Sequence, residues 1–293
     1  MRHSIVAAAL LACAASAQAK ITATAHDAVA RPGQPVELRA KFERASWLRW
    51  DMKDELVEFT VAGQVTSART DRDGMARVRV NANVAPGIYD FSARIPRKPR
   101  AMLARGRIFV LDPARPIAVV DIDGTLSDLH SWLVPFWGKR AKTFPGAPRV
   151  VQALARNHQI LYLTARDDVH DRRTRLFLNR HRFPDGPIVF NDRGLTTKQE
   201  RQQFRGKHHA TYKLAELQRL QALGFTLRLG IGDKETDAFA YEGAAIPSYI
   251  HTNKQLPAPS VTFISYVQLE QRLIADGVLQ TGGGLVASFP SPN

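Results

Sequence analysis

The sequence predicts an α/β domain, a mostly parallel sheet with helices on both faces, preceded by a small all-β sandwich. Two observations carry this. Between residues 21 and about 111, short runs alternate apolar with polar residues, the period of half-buried strands. From residue 117 onward, short and wholly apolar runs alternate with helical segments, as expected for strands covered on both faces.

The first region contributes strand-like runs at Ile21 to His26, Val36 to Phe42, Leu56 to Val61, Met75 to Val80, Ile88 to Arg94 and Arg107 to Leu111. Turn signals separate them at Arg31-Pro-Gly33, Asp71-Arg-Asp-Gly74 and Ala85-Pro-Gly87. Several antiparallel strands in so short a span suit an immunoglobulin-like sandwich. Asp112-Pro-Ala-Arg-Pro116 then breaks the pattern, which places a boundary near residue 114.

In the second region Ile117 to Val120 reads as a strand, 147–157 as a helix, Gln159 to Leu163 as a strand and 168–180 as a helix. Pro187 to Phe190 is a short strand, and His209 to Leu223 a helix stopped by Gly224. Thr226 to Ile231 is a strand, Glu235 to Tyr241 a helix, and Ala244 to Ile246 opens the last expected strand. This is a Rossmann-like order, which gathers ligands beyond the carboxyl ends of the strands. The expected organisation is an export signal over 1–19, the sandwich over 20–113, the α/β domain over 114–252, and a C-terminal helix near 265–276 with a loose tail in 253–293.

Arg2 and His3 precede a short apolar run, and Ala17-Gln-Ala19 supplies a cleavage pattern, so export to a periplasm or cell envelope is expected. Leu10-Leu-Ala-Cys13 also fits a lipoprotein box, which would instead leave Cys13 acylated as the first residue. Cys13 is the chain's one cysteine, so no disulfide framework exists.

The formal charge is +14, from 41 basic against 27 acidic residues. That excess favours anionic partners without choosing among them. The basic residues form no nucleic-acid reading motif, so no nucleic acid is expected. His208 and His209 are adjacent and would diverge on a helix, a poor geometry for shared metal ligation, so zinc is not expected.

Three strand exits carry polar residues suited to phosphoryl chemistry: Asp121-Ile-Asp-Gly-Thr125, Thr164-Ala-Arg166, and Gly232-Asp-Lys-Glu-Thr-Asp237, with Lys213 on the intervening helix. Each has a plain reading alone: paired aspartates can cap a turn, a threonine can start a helix, and a helix lysine is usually solvated. Their succession in this order at successive strand ends is the stronger signal.

Those segments resemble, in order, the four motifs of the haloacid dehalogenase superfamily of phosphohydrolases. A narrower similarity is to the catalytic domain of lipins, the phosphatidate phosphatases, and to related LNS2 segments. It is carried by Asp121 to Ser127, Phe144-Pro-Gly146, Ile160 to Arg166, Thr174-Arg175, Phe183 to Pro187, Tyr212-Lys213 and Gly232 to Tyr241. LNS2 segments of phosphatidylinositol transfer proteins lack the nucleophilic aspartate, which Asp121 supplies here. Asp233 stands where lipins often have Asn, a change toward the superfamily pattern.

The resemblance implies a magnesium-dependent hydrolysis of phosphomonoesters. Asp121 would be the nucleophile and Asp123 the general acid and base, with Thr164 and Lys213 holding phosphate oxygens and Asp237 orienting Lys213 or a metal-bound water. Asp121, Asp123 (through its backbone carbonyl) and Asp233 would hold Mg2+, while Gly124, Thr125 and Arg166 would meet the phosphate. The stretches 128–140 and 167–210 are too short for a large cap, so an open site is expected, suited to a phosphate presented by a membrane or macromolecule. An anionic phospholipid is thus the expected substrate and a peripheral membrane contact a further expectation. In Leu129 to Trp137, two tryptophans either meet lipid or pack beneath the neighbouring loop. Two other readings are an exported phosphatase for soluble or protein-bound phosphomonoesters, and a non-catalytic lipid-binding or adhesion module.

Overall fold

The computed structural model describes residues 20–44, 50–128, 141–191 and 208–280. The expectations placed on the export signal, on the aromatic run 129–137, on the side chains of His208 and His209 and on the tail beyond 280 lie outside the described residues. The chain divides into two compact units. One holds the residues up to Ala25 with Glu37–Val80 and Asp90–Gly106; the other holds His26–Val36, Asn81–Tyr89 and everything from Arg107.

The N-terminal region runs through β1 (Ile21–Ala25), β2 (Ala28–Ala30), β3 (Pro35–Arg44), β4 (Trp50–Asp51), β5 (Leu56–Val61), β6 (Gln64–Arg69), β7 (Met75–Asn81), β8 (Gly87–Arg94) and β9 (Ala104–Val110). Within the first unit β3 pairs antiparallel with β1 and β4, and β5 pairs antiparallel with β6 and β8. Alternation along β3 buries Leu38, Ala40 and Phe42, the two-residue period read from the sequence. The Asp71–Gly74 turn is built as its residues require. Asp71 Oδ1 accepts from Asp73 N and Met75 N, and Gly74 has φ 72° with no room for a Cβ against the Phe42 carbonyl. One pairing departs from the antiparallel expectation: β2 runs parallel to β9, both segments lying in the second unit.

The second unit is a six-stranded sheet in the order β12-β11-β10-β13-β14-β15, every pair parallel. Its elements are β10 (Ile117–Val120), α1 (Ala147–Leu154), β11 (Gln159–Asp167), α2 (Asp171–Arg180), β12 (Ile188–Asn191), α3 (His208–Ala222), β13 (Leu227–Gly232), α4 (Glu235–Gly243), β14 (Ser248–His251), β15 (Val261–Phe263) and α5 (Tyr266–Ala275). Ala118 and Val120 face a core completed by α1, α2 and α5, whereas Ile117 and Val119 face one completed by α3 and α4. Both faces of β10 are covered, which is why it lacks polar alternation.

Three local differences from the sequence reading have physical causes. Ala244 to Ile246 do not open a strand: Ala244 and Ala245 close α4 through Ala240 O and Glu242 O, and strand pairing starts at Ser248. The segment 253–280 is more than a helix and tail, because β15 adds a sixth strand. Its three residues follow Pro257 and Pro259, too short a run to signal itself. β11 continues to Asp167, so Thr164 lies inside a strand and not beyond one.

The order of strands reverses at β10: β11 and β12 lie on one side, and β13 to β15 on the other. Such a switch point opens a crevice at the carboxyl ends, here those of β10, β11 and β13.

Candidate active site

Asp121 follows β10 directly and is held there by its own N–H, which donates to Ile231 O on β13 at 2.9 Å. Its carboxylate is buried. Lys213 Nζ, from α3, donates to Oδ1 at 2.6 Å and Thr125 Oγ1 donates to Oδ2 at 3.0 Å. Lys213 also donates to Asp237 Oδ1, so one ammonium lies between two carboxylates. Asp237 Oδ2 accepts from the backbone N–H groups of Asp233 and Lys234, at 3.1 and 3.2 Å, which caps α4 while aiming the carboxylate at Lys213.

The loop Asp121–Asp128 turns back at Gly124, whose φ of 75° favours glycine. A Cβ there would also stand 2.0 Å from Asp233 Oδ2. Two distant residues fasten this loop: Tyr266 donates to Thr125 O at 2.6 Å, and His251 Nδ1 lies 3.0 Å from Gly124 O. The sequence reading missed both, and no local signal marks them, since they reach the loop across 141 and 127 residues.

Asp123 is gripped from β11. Arg166 Nε donates to Oδ2 at 2.7 Å and Nη2 donates to Oδ1 at 2.8 Å, a two-pronged pair buried from solvent. Thr164 Oγ1 is 3.5 Å from Asp123 Oδ2 and accepts the Arg166 N–H. Burial lowers the Arg166 pKa, opposed by the Asp123 carboxylate.

Carboxylate oxygens of Asp121, Asp233 and Asp237 lie within 4.8 Å of one another, a possible metal cluster found among the described residues. Asp233 Oδ1 is buried without a hydrogen-bond partner. Burial, reinforced by Asp237 and Asp123 against the pull of Lys213, pushes the Asp121 carboxyl up to about 6. Burial together with Asp121 and Asp237 pushes Asp233 up to about 8. Asp237 shifts down: its burial is outweighed by Lys213 and by the backbone donors. Lys213 shifts up, its burial outweighed by Asp121 and Asp237. Three clustered carboxylates thus surround one buried ammonium that bonds two of them, and the third keeps a buried oxygen without a hydrogen bond, so the donor set fits a hard divalent cation. Asp237 accepts three hydrogen bonds, from Lys213 and two backbone N–H groups, whereas Asp121 Oδ2 accepts only the Thr125 hydroxyl and Asp233 Oδ1 accepts none, so Asp121 and Asp233 have the greater capacity to ligate.

The sequence-predicted residues are therefore brought together, with corrections of detail. The carboxylate of Asp123 is not one of the clustered oxygens and is held beside them by Arg166. Arg166 was expected at the phosphate, and its guanidinium instead grips Asp123. Thr125 was expected there also, and its buried hydroxyl donates to Asp121. The Gly124 N–H is spent on Ser127 O at 3.1 Å. Thr164 reaches Asp123, and Lys213 reaches the nucleophile candidate and Asp237.

Residues 81–255 match the family described as LNS2 (Lipin/Ned1/Smp2), more than half of the chain. This chain belongs to the LNS2 family. The likeness to haloacid dehalogenase phosphohydrolases of the lipin type, first carried by the motifs, is thereby borne out. Phosphatidate phosphatase PAH1 of Arabidopsis thaliana is 33% identical over 143 residues, which cover 45% of this chain and 16% of that protein. The chain therefore spans only a minor part of the length of the curated relative it matches. Among solved structures, a D,D-heptose 1.7-bisphosphate phosphatase from B. bronchiseptica with magnesium and phosphate is 12% identical, with a TM-score of 0.39 over 55% of this chain and 99% of that one. A haloacid dehalogenase-like hydrolase from Streptococcus pneumoniae is 14% identical, with a TM-score of 0.38 over 55% and 99%. Fibronectin(III)-like modules of Clostridium thermocellum CbhA are 20% identical, with a TM-score of 0.21 over 31% and 95%.

Proposed function

We propose that this LNS2 protein is a magnesium-dependent phosphomonoesterase working through an aspartyl-phosphate on Asp121, with phosphatidate or a related anionic phospholipid as its substrate. The observation that carries the reading is the buried set of Asp121, Asp233 and Asp237 around Lys213, with Asp123 held beside it.

One Asp121 carboxylate oxygen attacks phosphorus in line and forms the acyl phosphate, while the bond from phosphorus to the ester oxygen breaks and that oxygen leaves with a proton from Asp123. Asp123 then takes a proton from the water that hydrolyses the acyl phosphate. Arg166 fixes the plane of the Asp123 carboxylate so that proton delivery needs no side-chain search. Lys213 holds Asp121 in place and supplies positive charge where the phosphoryl oxygens gather. Asp121 and Asp233, with the Asp123 carbonyl, would hold Mg2+, whose chemistry is to offset the repulsion between the carboxylate nucleophile and the anionic phosphate. Asp237 keeps Lys213 between the two acids.

The lipid assignment is supported by the LNS2 membership, by the named activity of the Arabidopsis relative over the matched stretch, and by the net positive charge. In keeping with that substrate, we read the protein as exported and in peripheral contact with membrane, and the strands of the first unit as an immunoglobulin-like module. No helix among the described residues is long and apolar enough to cross a membrane. The test is a panel of phosphatidate, lysophosphatidate and small phosphate esters in detergent micelles, with and without magnesium, and with Asp121→Asn as blank. Phosphatidate should be the best substrate, and activity should vanish without the metal. A preference for small soluble esters would move the substrate to the soluble class while leaving the chemistry standing.

A further inference from the structure

Asp27 is a buried carboxylate with no part in the reaction as written. Its side chain is wholly enclosed, with Oδ2 hydrogen-bonded and Oδ1 buried without a hydrogen bond, facing Arg175 and, at 3.8 Å, Arg107. Oδ2 accepts from the N–H of Ile188, the first residue of β12, at 3.0 Å, and from Arg175 Nη1 at 3.0 Å. Oδ1 makes an ion pair with Arg175 Nη2 at 2.9 Å. Arg175 is held from a second side by Asp171, one helical turn earlier on α2, at 2.8 Å. The preceding residue repeats the pattern: His26 Nε2 lies 2.8 Å from Asp168 Oδ2, with both side chains 4% exposed. Two consecutive residues therefore fasten α2 and the short turn before it by buried polar contacts.

The residue preceding Arg175 on α2 carries the contact inward. Thr174 is fully buried; its Oγ1 donates to His170 O at 3.0 Å and accepts from Arg166 Nη1 at 2.7 Å. The other nitrogens of that guanidinium hold both oxygens of Asp123. Polar contacts thus join Asp27 to Arg175, and Thr174 through Arg166 to Asp123, and the α2 backbone between the adjacent Thr174 and Arg175 connects the two stretches. A helix that merely covers a sheet needs apolar burial alone, and Phe177 and Leu178 already provide it on α2. Buried ion pairs recover little net stability against their desolvation cost, so their physical return lies in fixing one arrangement. Both anchor residues also lie before the stretch matched to the family.

We infer that Asp27 is a positioning residue for Asp123, acting through Arg175, Thr174 and Arg166, and that it sets the aim of the acid that protonates the leaving oxygen. The inference rests on the acid–base role given to Asp123 above.

The test compares Asp27→Asn, Thr174→Val and the double variant with the wild type, all as full chains with magnesium present. The pre-steady-state burst of the leaving alcohol or phenol reads the phosphorylation step alone, for phosphatidate in micelles and for p-nitrophenyl phosphate. The alkoxide needs a proton to leave, and the nitrophenolate does not. Misaimed proton delivery should slow the phosphatidate burst about tenfold or more in each single variant and leave the nitrophenyl burst within about twofold. The double variant should be no slower than the slower single one, because both cuts fall on one path. Equal slowing of both esters, no slowing, or multiplicative effects would overturn the inference. Thr174→Val carries the test should Asp27→Asn fail to fold. Crystal structures read the same path without turnover: displacement of the Arg166 contacts to Asp123 in either variant supports it, and contacts retained at their wild-type lengths contradict it. Failure of the wild type to turn over either ester would count against the phosphatase reading itself, and the crystal comparison would still decide the positioning path.

Discussion

The two units of this chain handle charge in opposite ways. In the β-rich unit, ion pairs such as Arg94 with Glu58 and Arg69 with Asp54 sit on strand surfaces, with the arginines 64% and 61% exposed. In the α/β unit, Asp121, Asp123, Lys213, Asp237 and Arg166 are all buried at the carboxyl edge of the sheet. Surface pairs gain little because water screens them, whereas buried ones must be complete or they become costly. The contrast separates a region whose ion pairs lie at the surface from one whose charges are gathered in a buried cluster.

The comparison breaks most visibly at the nucleophile. Asp121→Asn should lower phosphate release by at least about a thousandfold while thermal unfolding shows a folded chain, because the amide keeps its shape and loses its nucleophilicity. Retained turnover in a phosphate-release assay would remove the assignment.

Lys213→Ala should cost about 3–5 kcal/mol in denaturant unfolding, since it strands the carboxylates of Asp121 and Asp237 without a counter-charge. A cost near that of a surface lysine would mean the acids are already neutral in pairs.

Magnesium removal should give a smaller change whose size depends on pH. Asp121 and Asp233 keep their protons up to about 6 and about 8 in the folded chain, against an ordinary 3.8. Between 3.8 and about 8 the folded state therefore binds more protons than the unfolded one, and metal-free stability falls as pH rises through that window. A bound cation removes this penalty, so magnesium at a hundredfold its Kd should stabilise by about 2.7 kcal/mol, with a larger thermal shift at pH 8 than at pH 5. A shift independent of pH would place the metal away from these acids.

The smallest effect belongs to the β-rich unit. Arg94→Ala should change stability by less than about 1 kcal/mol and leave turnover untouched, as measured by denaturant titration and the phosphate assay.

The alternation of apolar runs with helical ones made the parallel sheet legible, and the strand-end acids made the site legible, because each motif is local in sequence. Asp121, Asp233 and Asp237 announce themselves by their spacing from Val120 and Gly232. The orientation of Asp123 toward Arg166 was not legible, since a motif gives the place of a carboxylate and not the partner that turns it. Tyr266, His251 and Asp27 were invisible for a related reason: each acts across more than a hundred residues, and an isolated Tyr, His or Asp reads as ordinary packing or surface. β15 was missed because three residues beside prolines carry too little periodicity to call a strand.

The central claim, a covalent phosphate on Asp121, is tested most directly by quenching the magnesium-loaded enzyme during turnover and reducing the acyl phosphate with tritium-labelled borohydride, which expels the phosphate and leaves tritiated homoserine. Peptide mapping should find the reduced residue at position 121 and nowhere else, with no label in the Asn variant. Label at another residue, or rapid turnover with no trapped intermediate at all, would contradict it.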